Sequence, residues 1–412
     1  MTKDDRRARL SVAVEPIHRI RLLSGKETKL LAGHLWVYRN EVADWPKEVE
    51  PGDLADIHDA RGKFLARGYL NPRSIIIGRL LARERTPIDQ DFFITRINEA
   101  HALRELLLAT ERLSHQEATY RVVHSEGDGL PGLIVDRYGD AVALQMLTAG
   151  MERRRDLIVN AVEKVLQPRL VVARNDSPMR EREGLTRERI LIRGDLPAES
   201  MVTINGLRVP VDLWEGQKTG LFLDQVGNYN LLERLSPGAH VLDCFCYLGL
   251  WALHAARYGA AGVIGIDQSS RAIERATTLA QLNGYAQVTR FQVANVFDDL
   301  RERDRRREAF DLIVLDPPAF VKSRTHLAEA IRGYKEINLR AMRLLRPGGF
   351  LITCSCSHHL TTQQFRQLLW EAAADVRRPV RLLEQRGQNS DHPIILVMPE
   401  TEYLKCFLLH VL

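Results

Sequence analysis

The sequence predicts an α/β protein: a doubly wound, mostly parallel sheet in the C-terminal half, behind a small mixed β-barrel and a compact α+β unit. Three observations carry this. From Ala239 onward, short apolar runs alternate with helical stretches, the pattern of β-α-β crossovers. Those runs are continuous rather than alternating, as in strands buried on both faces. Polar residues (Asp267, Asn295, Asp316 and Cys356) sit where the runs end, at the carboxyl ends where such sheets hold ligands. A chain of 412 residues exceeds one core. The boundaries are placed at 1–88, 89–214 and 215–412.

Composition narrows the class. Lys and Arg number 58 against 53 Asp and Glu, a net charge of +5, which fits a polyanionic partner without demanding one. Five cysteines, an odd number, do not make a secreted disulfide framework, and a reducing cytoplasm is the expected location. Met1–Arg7 lacks the apolar core of a signal peptide, and no apolar run is long enough to span a bilayer.

In the first domain, Val37-Tyr38, Leu54–Ile57, Phe64–Tyr69 and Ile75–Leu80 are strand candidates, separated by turns at Pro51-Gly52-Asp53, Asp59–Gly62 and Asn71-Pro72. Lys26, Lys29, His34, Arg39, Arg61, Lys63, Arg67, Arg73 and Arg79 are scattered through it, either as solvated surface or as polyanion contacts. A helix is expected from Asp89 to Leu113, its apolar stripe formed by Phe92, Phe93, Ile97, Leu103, Leu106 and Leu107. Next come a strand at Tyr120–His124, a Gly127–Gly132 turn, and a hairpin of Leu133–Arg137 with Ala141–Met146. A helix over 152–166 and strands near 170–173, 201–204 and 207–211 complete the middle unit. Arg174, Arg180, Arg182 and Arg187 lie between them, lining a phosphate backbone or forming a mixed-charge loop with Glu181, Glu183 and Glu188.

In the C-terminal domain the strands are Val241–Phe245, Gly262–Asp267, Val288–Val293, Phe310–Leu315 and Leu351 onward, with later segments near 380–383 and 404–409. Ser269 caps the second helix. The turn after the first strand has one glycine, Gly249, and no G-x-G-x-x-G, which disfavours a dinucleotide pyrophosphate. An acidic residue ending the second strand, Asp267, suits a ribose diol. An adenosine ligand without a diphosphate fits, and S-adenosylmethionine is the expected cofactor. Asp316-Pro317-Pro318-Ala319-Phe320 adds a rigid carboxylate and an aromatic ring. On a fourth strand that combination points to a methyltransferase acting on a planar nitrogen heterocycle. The pairs Cys244/Cys246 and Cys354/Cys356 lack the C-x2–4-C spacing of structural zinc, and no metal is expected.

The sequence resembles the bacterial large-subunit ribosomal RNA methyltransferase I family over nearly its whole length. Gly33–Tyr38 and Ala66-Arg67-Gly68 look like that family's PUA barrel, and Gly127–Gly139 like its central domain. Lys218–Gln225, Asp316-Pro317-Pro318, Arg332–Asn338, Ser355-Cys356-Ser357 and Asp391-His392-Pro393 follow in order. Departures are Leu250 in a turn that usually has two glycines, Val226 at an often basic position, and Ala319 where some members have lysine. The resemblance implies a Rossmann-like methyltransferase forming 5-methylcytosine in 23S rRNA, free or in an assembling large subunit. It implies no membrane and leaves a homodimer open.

The chemistry follows from the substrate. C5 of cytosine is a weak nucleophile until a thiolate adds to C6, and a base must later remove the C5 proton. The resemblance makes Cys356 the nucleophile; Asp316 is the expected partner of N3 and N4. His358, His359 and water are candidates for the base. Strand alternation cannot separate Cys354 from Cys356, because residues two apart share a face. Cys356 lies further past the strand end, and the family's cysteine aligns with it. Together these readings place cofactor contacts at Gln225, Asp243, Phe245, Tyr247, Gly249, Asp267, Asn295, Val296, Asp316 and Pro317, and substrate contacts at Pro318, Phe320, Arg174 and Lys218. The alternatives are an RNA guanine or adenine N-methyltransferase, which needs no cysteine here, and a non-catalytic RNA-binding assembly factor.

Overall fold

The computed structural model describes residues 17–108, 118–196, 199–320 and 326–412. Its N-terminal segment forms β1 (Ile17–Leu22), α1 (Glu27–Leu31), β2 (Trp36–Tyr38), β3 (Val42–Asp44), β4 (Leu54–His58), β5 (Phe64–Leu70) and β6 (Ile76–Ala82). These strands make one mixed sheet of order β2-β6-β5-β4-β1-β3, parallel only between β1 and β4. Ile20, Leu22, Val37, Ile57, Leu70 and Leu80 fill its apolar interior. Of the scattered basic residues, His34, Arg67 and Arg79 are buried, while Lys26, Arg39, Arg61, Lys63 and Arg73 are exposed.

The helix α2 (Gln90–Leu108) follows; residues 109–113 of its expected span lie outside the described residues. Only the first half of the expected stripe is buried. Phe92, Phe93 and Ile97 point inward, but Leu103, Leu106 and Leu107 are exposed. Arg104 takes the inner position instead, because backbone carbonyls satisfy it: its Nε donates to Arg121 O (3.0 Å) and its Nη2 to Asp391 O (2.8 Å).

The middle segment contains β7 (Thr119–His124), β8 (Leu133–Tyr138), β9 (Ala141–Met146), α3 (Ala149–Arg153), α4 (Arg155–Leu166), β10 (Leu170–Asn175), α5 (Met179–Arg182) and β11 (Glu188–Arg193). The sheet order is β11-β10-β9-β8-β7. The single helix expected over 152–166 breaks at Arg154, whose Nη1 donates to both Gly52 O and Gly150 O at 2.9 Å. The arginine-rich stretch is divided: Arg182 and Arg187 are exposed, Arg187 pairing with Glu181. Arg174 and Arg180 are buried, and Arg180 binds Glu152 Oε2 (2.7 Å) and Thr186 O (2.8 Å). The buried Glu183 carboxylate accepts from Asn71, Ser74 and Arg79, each at 2.8 Å. Buried charges persist only when so satisfied.

The C-terminal part begins with the hairpin β12 (Ser200–Ile204) and β13 (Leu207–Val211), then α6 (Leu232–Leu235) and β14 (His240–Cys244). It continues through α7 (Leu250–Arg257), β15 (Gly262–Asp267), α8 (Ser270–Leu282), β16 (Thr289–Val293), α9 (Val296–Arg306) and β17 (Phe310–Leu315). It closes with α10 (Leu327–Leu344), β18 (Leu345–Ser355), α11 (Thr362–Val376), β19 (Val380–Arg386) and β20 (Lys405–Val411). The sheet order is β16-β15-β14-β17-β18-β20-β19, parallel up to β18 and antiparallel beyond it. Leu312, Ile313, Val314, Leu351 and Ile352 are wholly buried, each worth roughly 1.5–3 kcal/mol of transfer free energy. By compactness the chain divides into two units. One comprises the residues up to Leu103 with Val122–Val135 and Leu144–Arg193; the other comprises Arg104–Arg121, Asp136–Ala143 and Gly194–Leu412. The β12-β13 hairpin, expected in the middle domain, belongs to the second unit, where Arg208 N donates to Asn283 Oδ1 (2.8 Å). Among the described residues no helix is long and apolar enough to cross a membrane.

Candidate active site

A cleft of about 650 Å³ opens at the carboxyl ends of β14, β15, β16, β17 and β18, a volume typical of small-molecule sites. The turn after β14 forms one wall. Phe245 and Tyr247 have φ of 62° and 48° there, left-handed values that side-chain-bearing residues seldom adopt. Neighbouring strand ends hold them in place: Cys246 N donates to Ile266 O (3.0 Å), and Tyr247 N to Asp267 Oδ2 (3.0 Å). Gly249, at φ 74°, closes the turn with its N–H on Cys246 O at 2.7 Å. A Cβ at Gly249 would meet the Phe291 ring at 2.6 Å, so only glycine fits.

Asp267 accepts from Ser269 N (2.9 Å) as well as from Tyr247, and so orders both loops at the cleft. Asn295 caps α9, its Oδ1 accepting from Phe297 N at 3.0 Å. Asp243, near the end of β14, is wholly buried: Oδ2 accepts from Ala252 N (3.0 Å), while Oδ1 has no partner among the described residues. Burial pushes its pKa well above the usual carboxylate range.

Asp316 is the first residue after β17. Its Oδ1 accepts from Gln225 Nε2 (3.1 Å) and its Oδ2 from Trp251 Nε1 (3.0 Å). Gln225 is itself oriented by Asn228 Nδ2, which donates to Gln225 Oε1 at 2.7 Å. Burial raises the Asp316 pKa to about 6; the Asp224 charge adds to this, while the Trp251 and Gln225 hydrogen bonds oppose it. Asp224 behaves oppositely. Against the pull of burial, Lys218, His392 and Tyr403 hold its carboxylate well below the usual range. Lys218 Nζ (2.8 Å) and Tyr403 OH (2.7 Å) both donate to Asp224 Oδ2.

Cys354 lies within β18, buried opposite Cys406 of β20. Cys356 is the first residue past that strand, part-exposed in the cleft, with Sγ 4.0 Å from Pro317 O. Burial raises its thiol to about 11, Asp316 and Asp224 add to the rise, and Lys218 opposes it. Rings flank the thiol and acid: Phe320 packs on Tyr334 (4.6 Å between centroids) and lies 6.1 Å from Phe245. A slot walled by rings, with a carboxyl and a thiol at adjacent strand ends, suits nucleophilic addition to a planar heterocycle.

Of the residues expected from the sequence, Lys218, Gln225, Phe245, Tyr247, Asp267, Asn295, Val296, Asp316, Pro317, Pro318, Phe320 and Cys356 line this one cleft. Gly249 and Asp243 do not line it: Gly249 closes the turn after β14 and Asp243 is wholly buried within β14. Arg174 does not line it: it is buried on β10 in the other unit, its Nε bound to Asp176 Oδ1 at 3.2 Å. Sequence reading missed Trp251, Asp224 and Tyr403 as site residues. Asp224 lay inside a quoted motif, but Trp251 looks like ordinary helix core and Tyr403 follows no pattern.

A family profile for PUA-like domains matches residues 20–83, and one for S-adenosylmethionine-dependent methyltransferases matches residues 190–394. Over 397 residues the chain is 38% identical to "Ribosomal RNA large subunit methyltransferase I" of Erwinia tasmaniensis, covering 96% of this chain and 99% of that protein. The protein of the same name in Tolumonas auensis is 39% identical over 388 residues, 93% and 97% of the two chains. Among solved structures, a methyltransferase complexed with SAH superimposes with a TM-score of 0.83 at 22% identity, covering 96% of this chain and all of that one. A candidate SAM-dependent methyltransferase from Streptococcus mutans gives 0.81 at 22% identity, with the same coverage.

Proposed function

The chain belongs to the ribosomal RNA large subunit methyltransferase I family, and we propose that this S-adenosylmethionine-dependent enzyme methylates C5 of a cytosine in 23S rRNA. The observation that carries this reading is the pairing of Cys356 with Asp316 at the ends of adjacent strands in one cleft. A methyltransferase acting on a ring nitrogen needs the carboxyl but no thiol.

The cleft fits the cofactor. Asp267 ends the second strand where a ribose would lie, its loop is locked by backbone donors, and Phe245, Tyr247 and Phe297 supply apolar walls. Asp267, Asn295, Tyr247 and Gln225 are the residues proposed to hold it. When bound, S-adenosylmethionine supplies an electrophilic methyl group on a sulfonium whose charge favours a nearby thiolate.

The chain's own groups do the rest. Cys356 adds through sulfur to C6 of the base, so that the ring electrons collect at C5. Asp316, poised near neutrality, donates its proton to N3 as that addition proceeds and accepts from the N4 amine. Phe320 and Pro318 pack on the ring. Once C5 has taken the methyl group, loss of its proton to a base re-forms the C5–C6 double bond and expels the Cys356 sulfur, and N3 returns its proton to Asp316. The target must be unstacked to reach the cleft. Lys26, Arg39, Arg61, Lys63 and Arg73, exposed in the N-terminal β domain, are proposed to contact the RNA backbone.

Two measurements test the reading. Bisulfite mapping of 23S rRNA from cells with and without the gene should lose one 5-methylcytosine on deletion. The purified Cys356→Ala enzyme should transfer no methyl group from labelled cofactor. Retained transfer by that variant would sink the C5 assignment in favour of an N-methyltransferase. RNA binding without transfer by the wild type would point to an assembly factor.

A further inference from the structure

Lys405 opens β20 directly opposite Ser355 of β18, and only 4% of its surface is exposed. Its ammonium donates to two backbone carbonyls, Ser357 O and Tyr403 O, each at 2.8 Å. No carboxylate lies within ion-pair distance of it among the described residues. A buried ammonium without a counter-anion is costly, and the carbonyls satisfy hydrogen bonds rather than charge. One of those carbonyls belongs to the residue next to Cys356. Burial lowers the Lys405 pKa to about 8, and among the described residues the charges that oppose this are Cys356 and Glu402.

The other charges around the thiol are poorly matched to its task. Asp316 and Asp224 face it from β17 and from the segment before α6, and both resist thiolate formation. Tyr334 of α10 contributes a hydroxyl committed to Ser355 and Ser357. His358 is held towards its neutral form by burial and by Lys405 itself. Lys218 is cationic but is bound to Asp224.

We propose that Lys405 is a positioning residue for Cys356, clamping the Ser357 carbonyl and serving as the buried counter-cation of the Cys356 thiolate. This rests on the covalent reading above, in which Cys356 must ionise. The missing anion of the Lys405 site is then the nucleophile in its reactive form. The lysine stabilises a charge that exists only when the enzyme is ready to add to the base.

The test uses the full chain without RNA. Carbamidomethylation of Cys356 by iodoacetamide is followed by peptide mass spectrometry against pH; the other four cysteines are buried. Lys405→Gln, which keeps an N–H donor and loses the charge, should raise the apparent thiol pKa by about one unit, roughly a tenfold slower reaction at pH 7. Lys405→Arg, which keeps its charge at every pH assayed, should restore the wild-type rate below pH 8 and go on rising above it. In the wild type itself, the rise in log rate should flatten near pH 8, where Lys405 loses its proton, a readout that survives if either variant fails to fold. An unchanged profile in Lys405→Gln, an equal shift in Lys405→Arg, or a wild-type curve with no flattening overturns the proposal. Retained methyl transfer by Cys356→Ala would instead overturn the covalent reading, independently of these titrations.

Discussion

Replacing Asp316 by asparagine should make the protein inactive and, at neutral pH, no less stable. The carboxyl has a pKa near 6 in the folded chain against about 3.9 unfolded. A raised carboxyl pKa means that the folded state binds more protons, so this group's contribution to stability falls as pH rises. The penalty is absent below pH ~3.9 and complete above the folded value. At 1.36 kcal/mol per unit it reaches about 3 kcal/mol at pH 7.5 and about 1.5 kcal/mol at pH 5; both are upper figures, because the carboxyl borders the cleft. Asparagine removes the penalty but turns an amide N–H₂ towards either Gln225 Nε2 or Trp251 Nε1, leaving one donor unpaired at about 1–3 kcal/mol. The net change at pH 7.5 is therefore between about 0 and 2 kcal/mol of stabilisation. Urea unfolding of both proteins, followed by tryptophan fluorescence at pH 7.5 and pH 5, measures the gap. The gap should shift by up to about 1.5 kcal/mol against the variant at pH 5. A gap independent of pH would refute the raised pKa and, with it, the role of Asp316 as proton donor to N3.

Two further substitutions probe the frame. Gly249→Ala should weaken SAH binding by tenfold or more in isothermal calorimetry and destabilise the fold by about 1–3 kcal/mol, because the new methyl needs both a left-handed backbone and the space of the Phe291 ring; wild-type affinity would show that the turn can relax. Glu183→Ala strips Arg79 of its buried partner and should cost about 3–5 kcal/mol in urea melts, an effect absent if water replaces the carboxylate.

What the sequence disclosed follows the physics of burial. Strands covered on both faces, such as Phe310–Leu315 and Leu351 onward, announce themselves as apolar runs, and the polar residues at their ends marked the cleft. Strand β11 stayed hidden, because Glu188-Arg189 and Arg193 flank a short apolar stretch at a sheet edge and read as part of a charged loop. The inward turn of Arg104 on α2, and the buried arginines near Arg180, were illegible for a common reason. Their partners are backbone carbonyls and distant carboxylates, which leave no local pattern. Lys405 is the same case at the site: a lysine heading an apolar strand looks like an ordinary strand end until the chain brings Ser357 beside it.

The order of the strands has a consequence for how this cleft can vary. The acid and the thiol hang from neighbouring parallel strands, paired as Leu315 with Thr353. Their spacing is thus referred to the inter-strand repeat of about 4.8 Å rather than to the length of any loop. Insertions and deletions in the connections can reshape what enters the cleft while the reacting pair keeps its gauge. Change to that gauge would have to come through the backbone of β17 and β18, whose buried, interlocked side chains tolerate it least.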